Sequence, residues 1–410
     1  MTRLTVRFLG FVLSALAGAV LVALTSVTTP AFAYGDDGTA LIMGGTGYGH
    51  NSPEYVADVY DLYIQPKYPG YTPEGLDTLE QYWPFTGLTS KTFGESVMHD
   101  AGVLDAAIRE QNAAGHDVVS LGYSQSASVT TLEMQNLDAL PVAERPTPEQ
   151  LAFVLLADAN NPDGGMFERF PGLYIPILDL SFSGATPPDT PYPTDIYTIQ
   201  YDPVADFPQY PLNPLSDLNA LLGYFYLHST YSYLTPDEVS AAVQLPTSPD
   251  YYAAGGVTDY YMILTQNLPL LDPLRQIPLV GNPLADLLQP DLRVLVDLGY
   301  GDGYANVATP AGLFPLVNPI TVAGELATGA QQGLVAALVD IGLLPSSDLP
   351  DSYPYLPAAE TPGEILNPGL MANDPLGLAD GALATLLSDM PGVPGLFAPD
   401  WIASALGLLG

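Results

Sequence analysis

Residues 39–47, TALIMGGTG, form a short apolar block that stops at glycines, as a buried strand does when it runs into a tight loop. A second strand is expected around Leu76 to Tyr82, closed by Trp83-Pro84. In the stretch that follows, Val97, Ala101, Leu104, Ala107 and Ile108 recur at helical spacing, and Gly115 offers a C-cap. Asp117 to Tyr123 reads as a strand, and residues 125–139 as a helix carrying Ala127, Leu132, Met134 and Leu137. LAFVLLAD at 151–158 and IYTIQYD at 196–202 supply two more strands. Helices alternate with strands whose apolar runs suit burial on both faces, which predicts a parallel sheet in an α/β fold.

After about residue 230 the pattern changes: prolines come every few residues among Leu-rich pieces, predicting short helices broken by Pro and Gly. Residues 230–300 are read as a cap over the body formed by 34–300, and 301–410 as an acidic Pro-, Gly- and Leu-rich extension. A second small domain or an envelope-facing attachment would have the same composition. At the other end, MTRLTVR precedes a long apolar run and a small-residue site at Ala31-Phe32-Ala33. This is the layout of a secretory leader over residues 1–33, or of an uncleaved anchor, since the apolar run nears spanning length. Either implies export.

Composition narrows the functional classes. Of 410 residues, 48% are hydrophobic and only 13% charged, so the chain can bury a full core. The net charge is −36, which gives no means of gripping a phosphate backbone or an anionic leaflet. Nucleic acid is therefore excluded as a partner, whereas neutral lipid or glycolipid surfaces, and with them membrane or envelope association, stay compatible. There is no cysteine, hence no thiol nucleophile or cysteine-bound metal.

The candidate chemistry lies in VVSLGYSQSASVT, where Gly122-Tyr123-Ser124-Gln125-Ser126 nearly matches G-x-S-x-G between a strand and a helix. Such an elbow projects a serine hydroxyl from the sheet edge, and it needs a histidine base and an acid, in the order Ser, acid, His. Positions two before and two after the serine must be small; Gly122 meets this outright, and Ser126 adds only a small side chain.

Of four histidines, His99 lies within a helix, His116 enters the strand at its far end, and His50 precedes the serine. Only His228 follows both Ser124 and a strand carrying an acid. That acid is Asp202 at the predicted strand end, or Asp206 four residues on. Oxyanion donors are expected from Gln125 and from the loop holding Gly45 and Thr46. GGTGYG is too irregular for a dinucleotide fingerprint and lacks the P-loop lysine, and nothing has metal-ligand spacing. No cofactor or metal is expected.

Taken as a set, LIMGGTG, VVSLGYSQSA, NNPDGGMFERF and QYDPVADFPQYPLNPLSDLNALLGYFYLHSTY resemble the PE-PPE domain of mycobacterial exported proteins. The resemblance implies an α/β-hydrolase, cutinase-like core over roughly residues 38–300, where serine is an accepted variant at position 126. It implies Ser124 as nucleophile, Asp202 or Asp206 as acid and His228 as base. It also implies an exported esterase or lipase acting on acyl esters, or an acyltransferase acting on trehalose-type glycolipids. A non-catalytic envelope protein on a degenerate hydrolase fold is the reading from a different class.

Overall fold

The computed structural model describes residues 38–301 and 303–349. The leader-like residues 1–33 and the extension beyond 349 lie outside the described residues. The strands are β1 (Gly38–Ile42), β2 (Thr72–Gly75), β3 (Asp117–Tyr123), β4 (Leu151–Leu156), β5 (Tyr174–Ile175), β6 (Leu180–Ser181), β7 (Thr194–Ile199), β8 (Val243–Gln244) and β9 (Thr258–Ile263). Seven of them form one sheet in the order β2-β1-β3-β4-β7-β9-β8, parallel except for β8. β5 and β6 form a separate antiparallel hairpin.

Helices α1 (Pro53–Val59), α2 (Phe93–Ala114), α3 (Gln125–Ala139) and α4 (Met166–Arg169) belong to the first half. The second half holds α5 (Pro214–Tyr226), α6 (Pro236–Ser240), α7 (Asp272–Arg275), α8 (Gly281–Asp297) and α9 (Pro319–Asp340).

Strand alternation sorts the core into two layers. Ala40, Ile42, Val119, Leu121, Ala152 and Val154 pack on one face against α1 and the turn that continues it, with Tyr231 and Val239. Leu41, Val118, Leu151 and Phe153 point the other way, against Val97, Leu104 and Ile108 of α2 and Val129 and Met134 of α3. Both faces are covered, which is why these strands read as nearly unbroken apolar runs. A capping box of Thr92 and Glu95 starts α2, and Gly115 in the left-handed conformation ends it.

Three expectations need correction. Leu76 to Tyr82 is not a strand; the second strand is the exposed edge piece Thr72–Gly75. Side chains of α2 take up the backbone donors of the segment instead: Leu79 and Glu80 N–H donate to Asp100 at 2.8 and 3.1 Å, and Gln81 N–H to Ser96 Oγ at 2.9 Å. β7 ends at Ile199, so Asp202 stands in a turn beyond the strand and not at its end.

The C-terminal helices are also longer than expected. α8 runs 17 residues through Pro290, and α9 runs 22 and lays its buried Gly329, Gly333 and Ala336 on α8. Between them, Thr309 N–H donates to Pro162 O and Ala311 N–H to Arg169 O, strapping the chain beyond 301 to the segments that follow β4. Among the described residues no helix is long and apolar enough to cross a membrane.

Candidate active site

The chain order reverses between β1 and β3, leaving a crevice at their carboxyl ends where α/β sheets hold ligands. Ser124 sits there, between the end of β3 and the start of α3, with φ 58° and ψ −113°. A non-glycine residue in that region is strained, and the neighbours hold it. A Cβ on Gly122 would stand 2.5 Å from the Ser126 carbonyl oxygen and 2.7 Å from Thr130 Oγ1, so only glycine fits. Ser126 does more than fit: its Oγ accepts from Tyr123 N–H at 2.7 Å and donates to Tyr123 O at 3.1 Å, bracing the elbow.

His228 follows α5 and places Nε2 2.9 Å from Ser124 Oγ. Its Nδ1 lies 3.0 Å from both carboxylate oxygens of Asp202. Asp202 is fully buried and also accepts from Val204 N–H at 3.1 Å and from the Tyr231 hydroxyl at 2.9 Å. These donors satisfy a carboxylate that water cannot reach. Asp206 is buried next to it but faces Tyr201 N–H at 2.7 Å, and burial pushes its carboxyl up to about 7. The structure therefore brings Asp202, and not Asp206, to the histidine.

Aromatic rings fix the imidazole. It stacks on Tyr224 at 5.2 Å and on Tyr123 at 5.6 Å, and the Tyr123 hydroxyl donates to the His228 carbonyl at 2.6 Å. The sequence reading missed Tyr123, Tyr224 and Tyr231. A buried carboxylate with only one partner needs further donors, and that requirement was the available signal for Tyr231.

The loop after β1 meets the elbow as expected. A Cβ on Gly45 would lie 3.2 Å from Ser124 Cβ, and Thr46 Oγ1 donates to Gln125 Oε1 at 2.8 Å. Gln125 Nε2 donates to Gln81 O at 3.0 Å, latching a second loop. Gln125 opens α3, so its N–H has no carbonyl partner within the helix. A cleft of about 250 Å³ lies over these groups, walled mainly by Tyr82, Phe85, Phe93, Phe167, Leu180 and Tyr224. The other histidines stand apart, His50 on Asp77, His99 on Asp100 and His116 on Gln111.

A strained serine elbow at a switch point, with a histidine and a buried aspartate in line, defines an α/β-hydrolase-type chain. The PE-PPE domain model matches residues 69–301, and the chain belongs to that family. It is 53% identical over 353 residues to PE family protein PE3 of Mycobacterium tuberculosis, covering 86% of this chain and 74% of that one. Esterase PE16 of the same organism is 53% identical over 291 residues, 70% of this chain and 54% of its own, so the chain spans about half of that relative. SL1278 acyltransferase Chp1, again from M. tuberculosis, is 32% identical over 292 residues, 67% of each chain. A cutinase-like protein from Cryptococcus sp. aligns over 75% of this chain at 12% identity and TM-score 0.25, so the fold assignment rests on the strand order itself.

Proposed function

We propose that this protein is an exported serine esterase acting on acyl esters. The observation that carries the reading is the in-line contact of Ser124 Oγ, His228 Nε2 and the Asp202 carboxylate beneath an apolar cleft. Ser124 attacks the ester carbonyl while His228 takes its proton, and Asp202 holds the imidazole in the tautomer that leaves Nε2 free to accept. The N–H groups of Gln125 and the Gly45-Thr46 loop receive the developing oxyanion. Collapse expels the alcohol, which takes the proton back from His228, and leaves an acyl-enzyme. Water, activated by the same histidine, then releases the acid. Export rests on the leader-like residues 1–33, and no metal or cofactor enters this scheme.

The similarity to an acyltransferase favours a second reading of the same site, in which a sugar hydroxyl replaces water in the last step. Purified protein labelled with a fluorophosphonate and assayed on p-nitrophenyl esters tests the shared chemistry. Ser124→Ala is expected to abolish labelling and to lower turnover at least about a thousandfold. Retained turnover in that variant removes the reading. Adding an acylated trehalose and assaying both free acid and the more highly acylated product separates hydrolysis from transfer.

A further inference from the structure

Residues 78–81 have α2 on one side and the loop that follows β1 on the other, and Asp100 of α2 is what they hang from. Asp100 is fully buried, and its carboxylate accepts four hydrogen bonds. Oδ1 takes the Leu79 N–H at 2.8 Å and His99 Nδ1 at 2.9 Å. Oδ2 takes the Glu80 N–H at 3.1 Å and the Ser96 hydroxyl at 3.0 Å. Ser96 Oγ in turn accepts from Gln81 N–H at 2.9 Å. Two side chains one helical turn apart thus hold three consecutive backbone donors, and hydrogen bonds to a buried carboxylate are strong ones.

This grip keeps Glu80 at φ 45°, in the left-handed region that residues other than glycine rarely enter. Strain of that kind lasts only where neighbours impose it. It turns the Glu80 carbonyl towards the β1 loop, where it accepts from Gly47 N–H at 2.7 Å. Thr78 N–H donates to Gly49 O at 2.9 Å as a second rung. Gly49 has to be glycine there, since a Cβ would stand 2.4 Å from Thr78 O.

The next residue reaches the elbow. Gln81 O accepts from Gln125 Nε2 at 3.0 Å, and Gln125 Oε1 accepts from Thr46 Oγ1 at 2.8 Å. The bonds therefore close a ring from Asp100 through Glu80, the Gly47–Thr46 loop, Gln125 and Gln81 back to Ser96. Thr46 and Gln125 line the cleft over Ser124, whereas Asp100 and Ser96 do not, so α2 acts on the site only through this ring.

We infer that Asp100 is a positioning residue for the oxyanion hole of the esterase proposed above. By fixing residues 79–81 it sets the spacing between the Gly45-Thr46 amides and the Gln125 amide. Donors fixed in advance need no reorganisation as charge develops on the tetrahedral oxygen. The inference rests on the esterase reading for its chemistry, but the attachment of the loop can be measured without it.

The test is Asp100→Asn in the full chain, which keeps the shape of the side chain but turns an acceptor oxygen into an NH2 that faces donors. With p-nitrophenyl butyrate, kcat is expected to fall about tenfold to a hundredfold and KM to change less than about threefold. An alkyl trifluoromethyl ketone supplies the readout that a loss of folded protein would not move. Ser124 Oγ adds to its carbonyl carbon, the proton passes to His228, and the carbonyl oxygen becomes the oxyanion. Its affinity is expected to weaken by about the factor lost from kcat. Unchanged ketone affinity, a kcat within about threefold of the unaltered protein, or a loss confined to KM overturns the inference. Ser96→Ala, which takes the acceptor from Gln81 N–H, serves where Asp100→Asn fails to fold, with the same expectation in direction. Hydrogen exchange is the second arm: amides of residues 45–48 are expected to exchange about tenfold faster in the variant, and those of β4 at their old rate. If the unaltered protein neither hydrolyses the ester nor reacts with a fluorophosphonate, the esterase reading fails and exchange alone decides. Faster exchange at 45–48 then supports the attachment through Asp100, and unchanged exchange overturns it.

Discussion

Two acids four residues apart, Asp202 and Asp206, satisfied the same chain-order requirement, and only their partners separate them. Asp202 holds His228, Val204 N–H and the Tyr231 hydroxyl, whereas Asp206 holds the Tyr201 N–H of its own turn. Asp202→Asn would present an amide to Nδ1 and favour the wrong tautomer, so kcat is expected to fall about a thousandfold or more. Asp206→Asn replaces a carboxyl that burial pushes up to about 7, and so keeps protonated on the acid side of that pH, with a neutral group of the same shape. Its kcat on the same ester is expected to stay within about tenfold, and the reverse ranking of the two variants would overturn the assignment of the acid. Tyr231 acts through Asp202: its hydroxyl also accepts from Ile199 N–H at 2.9 Å. Tyr231→Phe would leave a buried N–H unpaired and take one donor from the carboxylate. A stability loss of about 1–3 kcal/mol in denaturant melts is expected, with kcat lowered and KM little changed. A shift confined to KM would assign Tyr231 to substrate contact instead.

Elements with clear start and stop signals were legible: the apolar run of β3 ends at the Gly122–Ser124 elbow where α3 begins, so the bounds of both match the expected ones, and Gly115 caps α2. Where side chains, and not a periodic face, satisfy the backbone, the sequence misled, as at residues 76–82 on Asp100 and Ser96. β2 reads TPEG and is exposed throughout, so it has no apolar signature to find. That Ser124 and His228 would lie together was legible from spacing and order, but which acid reaches His228 depends on a turn beyond β7 that periodicity does not encode. α8 was hidden by Pro290, yet it matters to the site. Its Arg293 is buried, donates to Thr265 O and Gln266 O at 3.0 and 2.9 Å, and reaches the Tyr201 hydroxyl at 3.3 Å. That hydroxyl donates to Asp297 at 2.6 Å, and Tyr201 directly precedes Asp202. Arg293→Ala would leave two buried carbonyls and the Tyr201 hydroxyl without their donor. Equilibrium unfolding is expected to lose about 1–3 kcal/mol or more. A loss under about 1 kcal/mol would mean that α8 does not hold this turn.

For the molecule as a whole, the excess of acid takes a specific form. Burial pushes the carboxyls of Asp206, Asp297 and Glu168 up to about 7, Asp158 to about 6 and Glu133 to about 8, and it raises Glu80 as well. In the unfolded chain these groups ionise near pH 4. Between that pH and the raised values the folded state binds more protons than the unfolded one, so stability falls as pH rises. Their contribution is full below about pH 4 and is lost progressively up to about pH 7–8. Glu95 and Glu238 work in the opposite sense, their carboxyls held low by the N-terminal donors they accept, but both are exposed and their effect falls below the same window. Repulsion within a chain of net charge −36 adds to the loss at high pH. The midpoint of thermal unfolding is therefore expected to be higher at about pH 5 than at about pH 8, by about 3 °C or more. Calorimetry at matched ionic strength measures this directly. A midpoint that is flat or rises with pH would show that the buried acids ionise in the folded state and that other groups supply their counter-charge.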